Sequence, residues 1–502
     1  MSTVKIGWAK RDISTNEPVN INGQMYLRIS RGIMDPISVT ALCIDGGEGQ
    51  DAVVFVSCDV TSILPIVQEI VEKKLAERAP HIPVTNVVLN ATHTHTSSAT
   101  FKTPEKSPDG KDIYPGEQYR EFFTDMICEA AMEAWDNRTE GGIAFGYGYA
   151  VVAHSRRTIY SEPQLATDPL AAAPNGHGVM YGATNKDTFS HYEAGADHFV
   201  NALFTVDANN KLTGMVINVP CPSQCSESYD MLSADYWGDV RREVAEAFGS
   251  DVFVLPQCAA AGDLSPRVLH YLEAQKRRMR LKYDIDYTKQ ETLLERRLQK
   301  SLAERRDIAE RIIAAVKDIH SWAMAEIYTD IPVRHVMENV PLTRRIVTDA
   351  DKEKCEADIR VVDALQPEEG MTDEEYRVFA SRCTSVRNRN LRALERYEAL
   401  KVAPTKDYPL YVTQIGPVAF AFNPFELYMD FMHRIQARSP FVQTFVTQLA
   451  GGGGSSYLPT KRGIENKGYS ASIFCNVVGP EGGQELVEFT LKTLNEMKAK
   501  DE

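Results

Sequence analysis

The 502-residue chain has no apolar run approaching the roughly 18 residues that a membrane-spanning helix needs. Its first residues, Met1-Ser-Thr-Val-Lys-Ile-Gly-Trp8, lack the apolar core of a signal peptide. No CxxC pair occurs among the nine cysteines, of which Cys221 and Cys225 come nearest. An odd, scattered set of this kind fits a reducing compartment and not a disulfide-stapled secreted domain. No basic stretch offsets the net charge of −14, which disfavours a nucleic-acid partner. Nor is there an internal repeat. These absences leave a soluble, cytoplasmic protein as the expectation, with no membrane partner and with homo-oligomers allowed. The composition that remains, 43% apolar and 25% charged, is that of an ordinary globular protein. Its length suits two or three domains, or one large α/β domain carrying insertions.

The patterning predicts an α/β fold of mixed β-sheets flanked by helices. Strands are expected at 4–13, 38–44 and 52–57, then an amphipathic helix at 64–78 and a buried strand at 86–90. Asp59 at a strand end reads either as a helix N-cap or as a ligand or second-shell base. A helix is expected at 119–135 and a strand at 141–152. Strands 199–206 and 212–219 flank the turn Asp207-Ala-Asn-Asn-Lys211, a hairpin. Ser233 is a credible cap for the helix that follows it. Residues 268–330, rich in interleaved Arg, Lys, Glu and Leu, read as an exposed helical insertion or packing arm between 1–267 and 331–502. A second charged helical region, 349–400, is broken near 366–371. Four glycines, Gly451–Gly454, form a mobile or tightly wound loop ahead of Tyr457, and on composition they are a candidate lid hinge.

The stretch that organises the rest is Asn86-Val-Val-Leu-Asn-Ala-Thr-His-Thr-His-Thr-Ser-Ser-Ala-Thr100. In extended chain, residues i and i+2 share a face, so His93 and His95 are expected to point together into a cleft at a strand end. Imidazole is the commonest nitrogen ligand for zinc and a ready proton carrier. Two histidines bonded to backbone in a polar loop is the plainer alternative. Arg156 and Arg157 suit an anion, a carbonyl oxygen or a surface salt bridge. Glu426, following Pro424-Phe425, suits a metal or a helix N-terminus.

Seven motifs in order give the chain a resemblance to the neutral/alkaline ceramidase family, over most of its length and least in the helical insertion. They are Ala91-Thr-His-Thr-His95, Ser155-Arg156-Arg157, Leu232-Ser-Ala-Asp-Tyr-Trp-Gly238, Ala261-Gly-Asp-Leu-Ser-Pro266, Pro424-Phe-Glu426, Ser456-Tyr457-Leu-Pro-Thr460 and Gly468-Tyr469. The resemblance implies a catalytic zinc, or another divalent metal, with His93, Glu426 and Tyr457 as ligands. It implies that His95, Arg156 and Tyr469 grip the substrate carbonyl or its oxyanion, with Ser265 near the site. The family's second zinc histidine has no counterpart. An ungapped alignment puts Pro222 there, which leaves Cys221, as a thiolate, or Gln224 to move in, or else a metal held by fewer protein groups, a different metal, or none. No counterpart is expected either for the family's C-terminal immunoglobulin-like domain or for its secretion signal.

The chemistry so implied is hydrolysis by metal-activated water, with Arg156 and Tyr469 on the oxyanion and His95 giving a proton to the leaving group. The expected substrate is a small soluble molecule with an amide, ester or lactone bond, sugar-derived among the options. A metal-dependent lyase or isomerase acting on a hydroxylated acid or sugar is an alternative. A non-catalytic ligand-binding protein on the same fold is another.

Overall fold

Apolar, β-branched runs become the strands. The computed structural model describes residues 3–171, 176–286, 292–454 and 456–501. Among them, eight strands make the larger sheet, in the order Phe253–Cys258, Leu212–Val219, Phe199–Asp207, Thr139–Tyr149, Lys5–Asp12, Ser38–Asp45, Ala52–Cys58 and Val87–Ala91. The inner pairs are antiparallel, and the outermost pair at each edge is parallel. The two edges also meet through polar contacts. Ser57 Oγ and Asn90 Nδ2 both donate to Pro256 O, at 2.5 and 3.3 Å. The carboxyl ends of both parallel edges therefore open onto one mouth.

A second sheet of Val333–Thr343, Thr405–Ile415, Val418–Phe422 and Gln443–Thr447 lies face to face with the first. Phe55 meets Phe420 and Phe422 across the interface at ring-centroid distances of 5.0 and 5.1 Å. Each such ring, fully buried, contributes about 1.5–3 kcal/mol. Helices α1 (Pro65–Arg78), α2 (Gly116–Asp136) and α3 (Tyr236–Phe248) pack their apolar faces into the larger core cluster. No helix among the described residues is long and apolar enough to cross a membrane.

The 268–330 stretch forms α4 (Leu272–Tyr283) and α5 (Leu293–Ala323), and 287–291 lie outside the described residues. Helix α5 is a packing arm and not an exposed one. Ile308, Ile312, Val316 and Ile319 are buried in the main core. Trp322 lies so close to Gly146 that an added Cβ there would come within 2.3 Å of its ring. The later helical region is a hairpin of α6 (Asp349–Ala364) and α7 (Asp373–Val402), broken where expected. Each helix opens with a capping box, Thr348 with Asp351 and Thr372 with Glu375, which satisfies the first free N–H groups. Helices α8 (Met429–Arg438), α9 (Lys461–Asn466) and α10 (Pro480–Lys498) complete the chain.

Two local expectations are corrected, and one alternative is decided. Asp59 caps no helix: it accepts bidentately from Arg241 at 2.7 and 3.1 Å and from Ser38, fully buried. The cap of α3 is Asp235, whose carboxylate accepts from Tyr236 N, while Ser233 bonds Asp35 and Arg305. The glycine loop is tightly wound. Gly451, Gly452 and Gly454 have φ of 73–88°, and Cβ atoms at Gly451 and Gly453 would fall 2.2 Å from Tyr411 and 2.1 Å from Pro424. Ser455 of that loop lies outside the described residues.

Candidate active site

The strand Val87–Ala91 stops two residues before His93, whose φ of 63° turns the chain sharply. The two imidazoles therefore meet through a turn and not through the pleat of an extended strand. Their rings are edge to face, 82° apart, with Nε2 atoms 3.3 Å from each other. A left-handed backbone at a non-glycine residue costs on the order of 1–3 kcal/mol and is held only where the surroundings enforce it. Here His93 N bonds Val60 O and Thr92 N bonds Cys58 O.

His93 Nδ1 lies 2.7 Å from the carbonyl of Thr61, which only accepts, so that nitrogen carries the proton. Its Nε2 then faces Glu426 Oε2 at 3.3 Å with a lone pair. A lone pair against a carboxylate requires a cation between them, either a proton or a metal ion. Glu426 and Tyr457 arrive together because their short strands pair in parallel, Glu426 opposite Tyr457. The Tyr457 hydroxyl bonds the Glu426 carboxylate and accepts from Arg156 Nη2 at 3.2 Å. Burial pushes the Glu426 carboxyl up, but His93, Arg156 and Tyr457 outweigh it and hold the group below its ordinary value. Burial raises the Tyr457 phenol well above its usual range despite Arg156.

Arg156 reaches the site from beside a two-residue strand pair, His154–Ser155 against Leu264–Ser265. Its guanidinium, 1% exposed, donates to Gly262 O at 2.9 Å and lies 3.6 Å from Glu426. Its neighbour Arg157 does different work, forming a buried bidentate pair with Glu193 at 2.7 and 2.8 Å. Ser265 is fully buried beside Arg156 and bonds the hydroxyl of Tyr181. Tyr469 is half-buried with its ring edge on Tyr457, 5.9 Å away, and its hydroxyl bonds the sulfur of Cys475.

The position vacated by the family's second histidine is filled by Gln224 and not by Cys221. The Cys221 thiol bonds Val152 O at 3.4 Å, and burial pushes its pKa well up, so it is an S–H donor instead of a thiolate ligand. Gln224 Nε2 stands 2.8 Å from His95 Nε2, and its Oε1 accepts from Tyr181 at 3.2 Å. The amide N–H thus makes His95 Nε2 an acceptor. His95 Nδ1 faces Glu227 Oε2 at 3.4 Å, and Glu227 is in turn paired with Arg267. Burial foremost, then His93, lowers the His95 pKa well below its ordinary value. Sequence reasoning missed Glu227, Arg267 and Tyr181. The Ser226-Glu227 dipeptide beside Gln224 was the available signal for the first, and nothing in sequence marks the other two.

Among the described residues no three His, Cys, Asp or Glu side chains form a metal-binding group. A metal here relies on the Tyr457 phenol beside His93 and Glu426. Three protein ligands with one open position is the pattern of a catalytic zinc site, and a histidine fixed through Nδ1 to a carbonyl is the usual support for a ligating Nε2. On those grounds the donor set fits a divalent metal.

No family model matches the chain, and no curated protein matches its sequence. Solved structures do. The crystal structure of neutral ceramidase from Pseudomonas aeruginosa superposes with a TM-score of 0.67 at 16% identity, covering 100% of this chain and 75% of that one. A ceramidase complexed with C2 gives 0.64 at 16% identity, covering 100% and 76%. The fold is that of the neutral ceramidase catalytic region.

Proposed function

We propose that the chain is a metal-dependent hydrolase that cleaves an amide, or an ester or lactone, in a small soluble substrate. The observation that carries this reading is His93 Nε2 facing Glu426 Oε2 at 3.3 Å, beside the Tyr457 phenol, on a ceramidase fold. His93, Glu426 and Tyr457 would hold the ion. When bound, a divalent metal supplies hydroxide at neutral pH by lowering the pKa of its water to about 7. His95, with Nε2 as an acceptor, takes a proton from the attacking water, and Glu227 at Nδ1 steadies the ring. Arg156 lies 3.6 Å from the Glu426 carboxylate, and its charge stabilises the oxyanion as it forms. One good donor of that kind is worth about 10²–10³ in rate. Burial of His93, Arg156, Glu227, Glu426 and Tyr457, with the His95 side chain 11% exposed, limits screening by bulk water.

Metal content by mass spectrometry, on wild type and His93→Ala, tests this directly. About one divalent metal per chain, lost in the variant, is the expected result. A wild type that stays metal-free after reconstitution would end the proposal. Hydrolysis of p-nitrophenyl butyrate should follow the metal content across both proteins.

A further inference from the structure

Tyr181 belongs to none of the sequence motifs, yet the polar groups of the site converge on its hydroxyl. Arg156 Nη1 donates to Tyr181 Oη at 3.2 Å, Tyr181 Oη donates to Gln224 Oε1 at 3.2 Å, and the Ser265 hydroxyl bonds it as well. The guanidinium of Arg267 lies over the ring, 4.8 Å from its centroid, and that of Arg156 lies 5.9 Å away. Through Gln224 the phenol is joined to His95 Nε2, so the hydroxyl sits at the rim of the same cluster.

The backbone holds it there at a cost. Tyr181 has φ of 59°, the left-handed region that side chains with a Cβ avoid. Its N–H donates to Arg156 O at 2.8 Å, which fixes the two residues to each other. The next residue must be glycine, since a Cβ on Gly182 would fall 2.1 Å from Thr158 Oγ1 and 2.3 Å from Tyr160 Oη. Strain of this kind gathers where a side chain has to be aimed.

We propose that Tyr181 is the catalytic acid that protonates the leaving atom; this rests on the hydrolytic reading above. As the bond from the acyl carbon to the leaving nitrogen or oxygen breaks, its electron pair stays on that atom. The atom takes the proton of Tyr181 Oη. The phenolate so formed is held by Arg156 and Ser265, and water returns the proton after the product departs. In the reading above His95 acts on the attacking water, which leaves the leaving atom to a second group. The charged groups facing the phenol are Arg156 and Arg267, the second of them paired with Glu227 on its far side. Burial pushes the phenol up, but the two guanidiniums bring it below the ordinary tyrosine value.

The test compares two esters of one acid, ethyl butyrate and p-nitrophenyl butyrate, on metal-loaded wild type and Tyr181→Phe. Ethoxide must be protonated as it leaves, and p-nitrophenolate need not be. Tyr181→Phe is expected to slow ethyl butyrate hydrolysis by about 10²–10⁴-fold and to leave the activated ester nearly unchanged. Equal losses on both esters would overturn the proposal, since a structural or oxyanion role acts on both alike. A wild type inactive on both esters would sink the hydrolytic reading itself, and this inference with it.

Discussion

Gly23 carries no side chain, and His95 occupies the space one would take. A Cβ at Gly23 would lie 2.5 Å from His95 Cγ, and its φ of 107° is itself hostile to any other residue. Gly23→Ala is therefore expected to displace the imidazole and slow p-nitrophenyl butyrate hydrolysis by roughly tenfold or more, the low end of what a misplaced acid–base group costs. The strained backbone should add about 1 kcal/mol of destabilisation. A variant with the wild-type rate would mean that this loop does not set the ring. At this scale the sequence was informative about residue types and not about their partners. His93, Glu426 and Tyr457 were legible from motif order. The adjacent arginines were not separable, because only tertiary contact sends Arg156 into the cleft and Arg157 to Glu193. Tyr181 was invisible, since its position depends on a left-handed turn that no local pattern announces.

At the level of elements, two measurements address how the site is framed. The Arg157–Glu193 pair, at most 1% exposed on either side chain, ties the strand Arg157–Gln164 to the segment carrying Tyr469. Glu193→Ala leaves a buried guanidinium with one charge uncompensated, and urea unfolding should show a loss of about 3–5 kcal/mol. Helix α5 supplies the second. If 268–330 were an exposed arm, Ile312→Ala would cost little. Buried at 0% exposure in the main core, it should cost about 2–5 kcal/mol by the same assay. The charged pattern of α5 concealed this. Its abundant Arg, Lys and Glu mark the solvated face, and the buried stripe of Ile308, Ile312, Val316 and Ile319 is the part that decides its place.

Across the whole molecule, α8 is joined to the larger sheet by His433 Nε2, 2.7 Å from Asp197 Oδ2 just ahead of the strand Phe199–Asp207. That hydrogen bond raises the His433 pKa in the folded chain. A raised folded pKa means stability that is fully present below the unfolded value near 6.5 and lost as pH rises through the folded value. The stability difference between wild type and His433→Gln should therefore be largest under mildly acidic conditions and shrink toward alkaline pH. With the His433 side chain 46% exposed, solvent screening keeps the effect small. A difference that grows with pH would contradict the pairing.

The sequence by itself determined the strands, the helices and the order of the motifs, because apolar periodicity, turn residues and capping boxes act within a few residues of one another. Only the tertiary structure decided how they meet. His93 and His95 converge through a turn, Glu426 joins Tyr457 through a two-residue parallel pair, and Gln224 takes the place for which the sequence reading favoured Cys221. These outcomes depend on contacts between residues about thirty positions apart, as Glu426 and Tyr457 are, or more than a hundred, as Gln224 and His95 are. Their geometry is set by the two edges of one sheet closing on a common mouth, which no local pattern encodes.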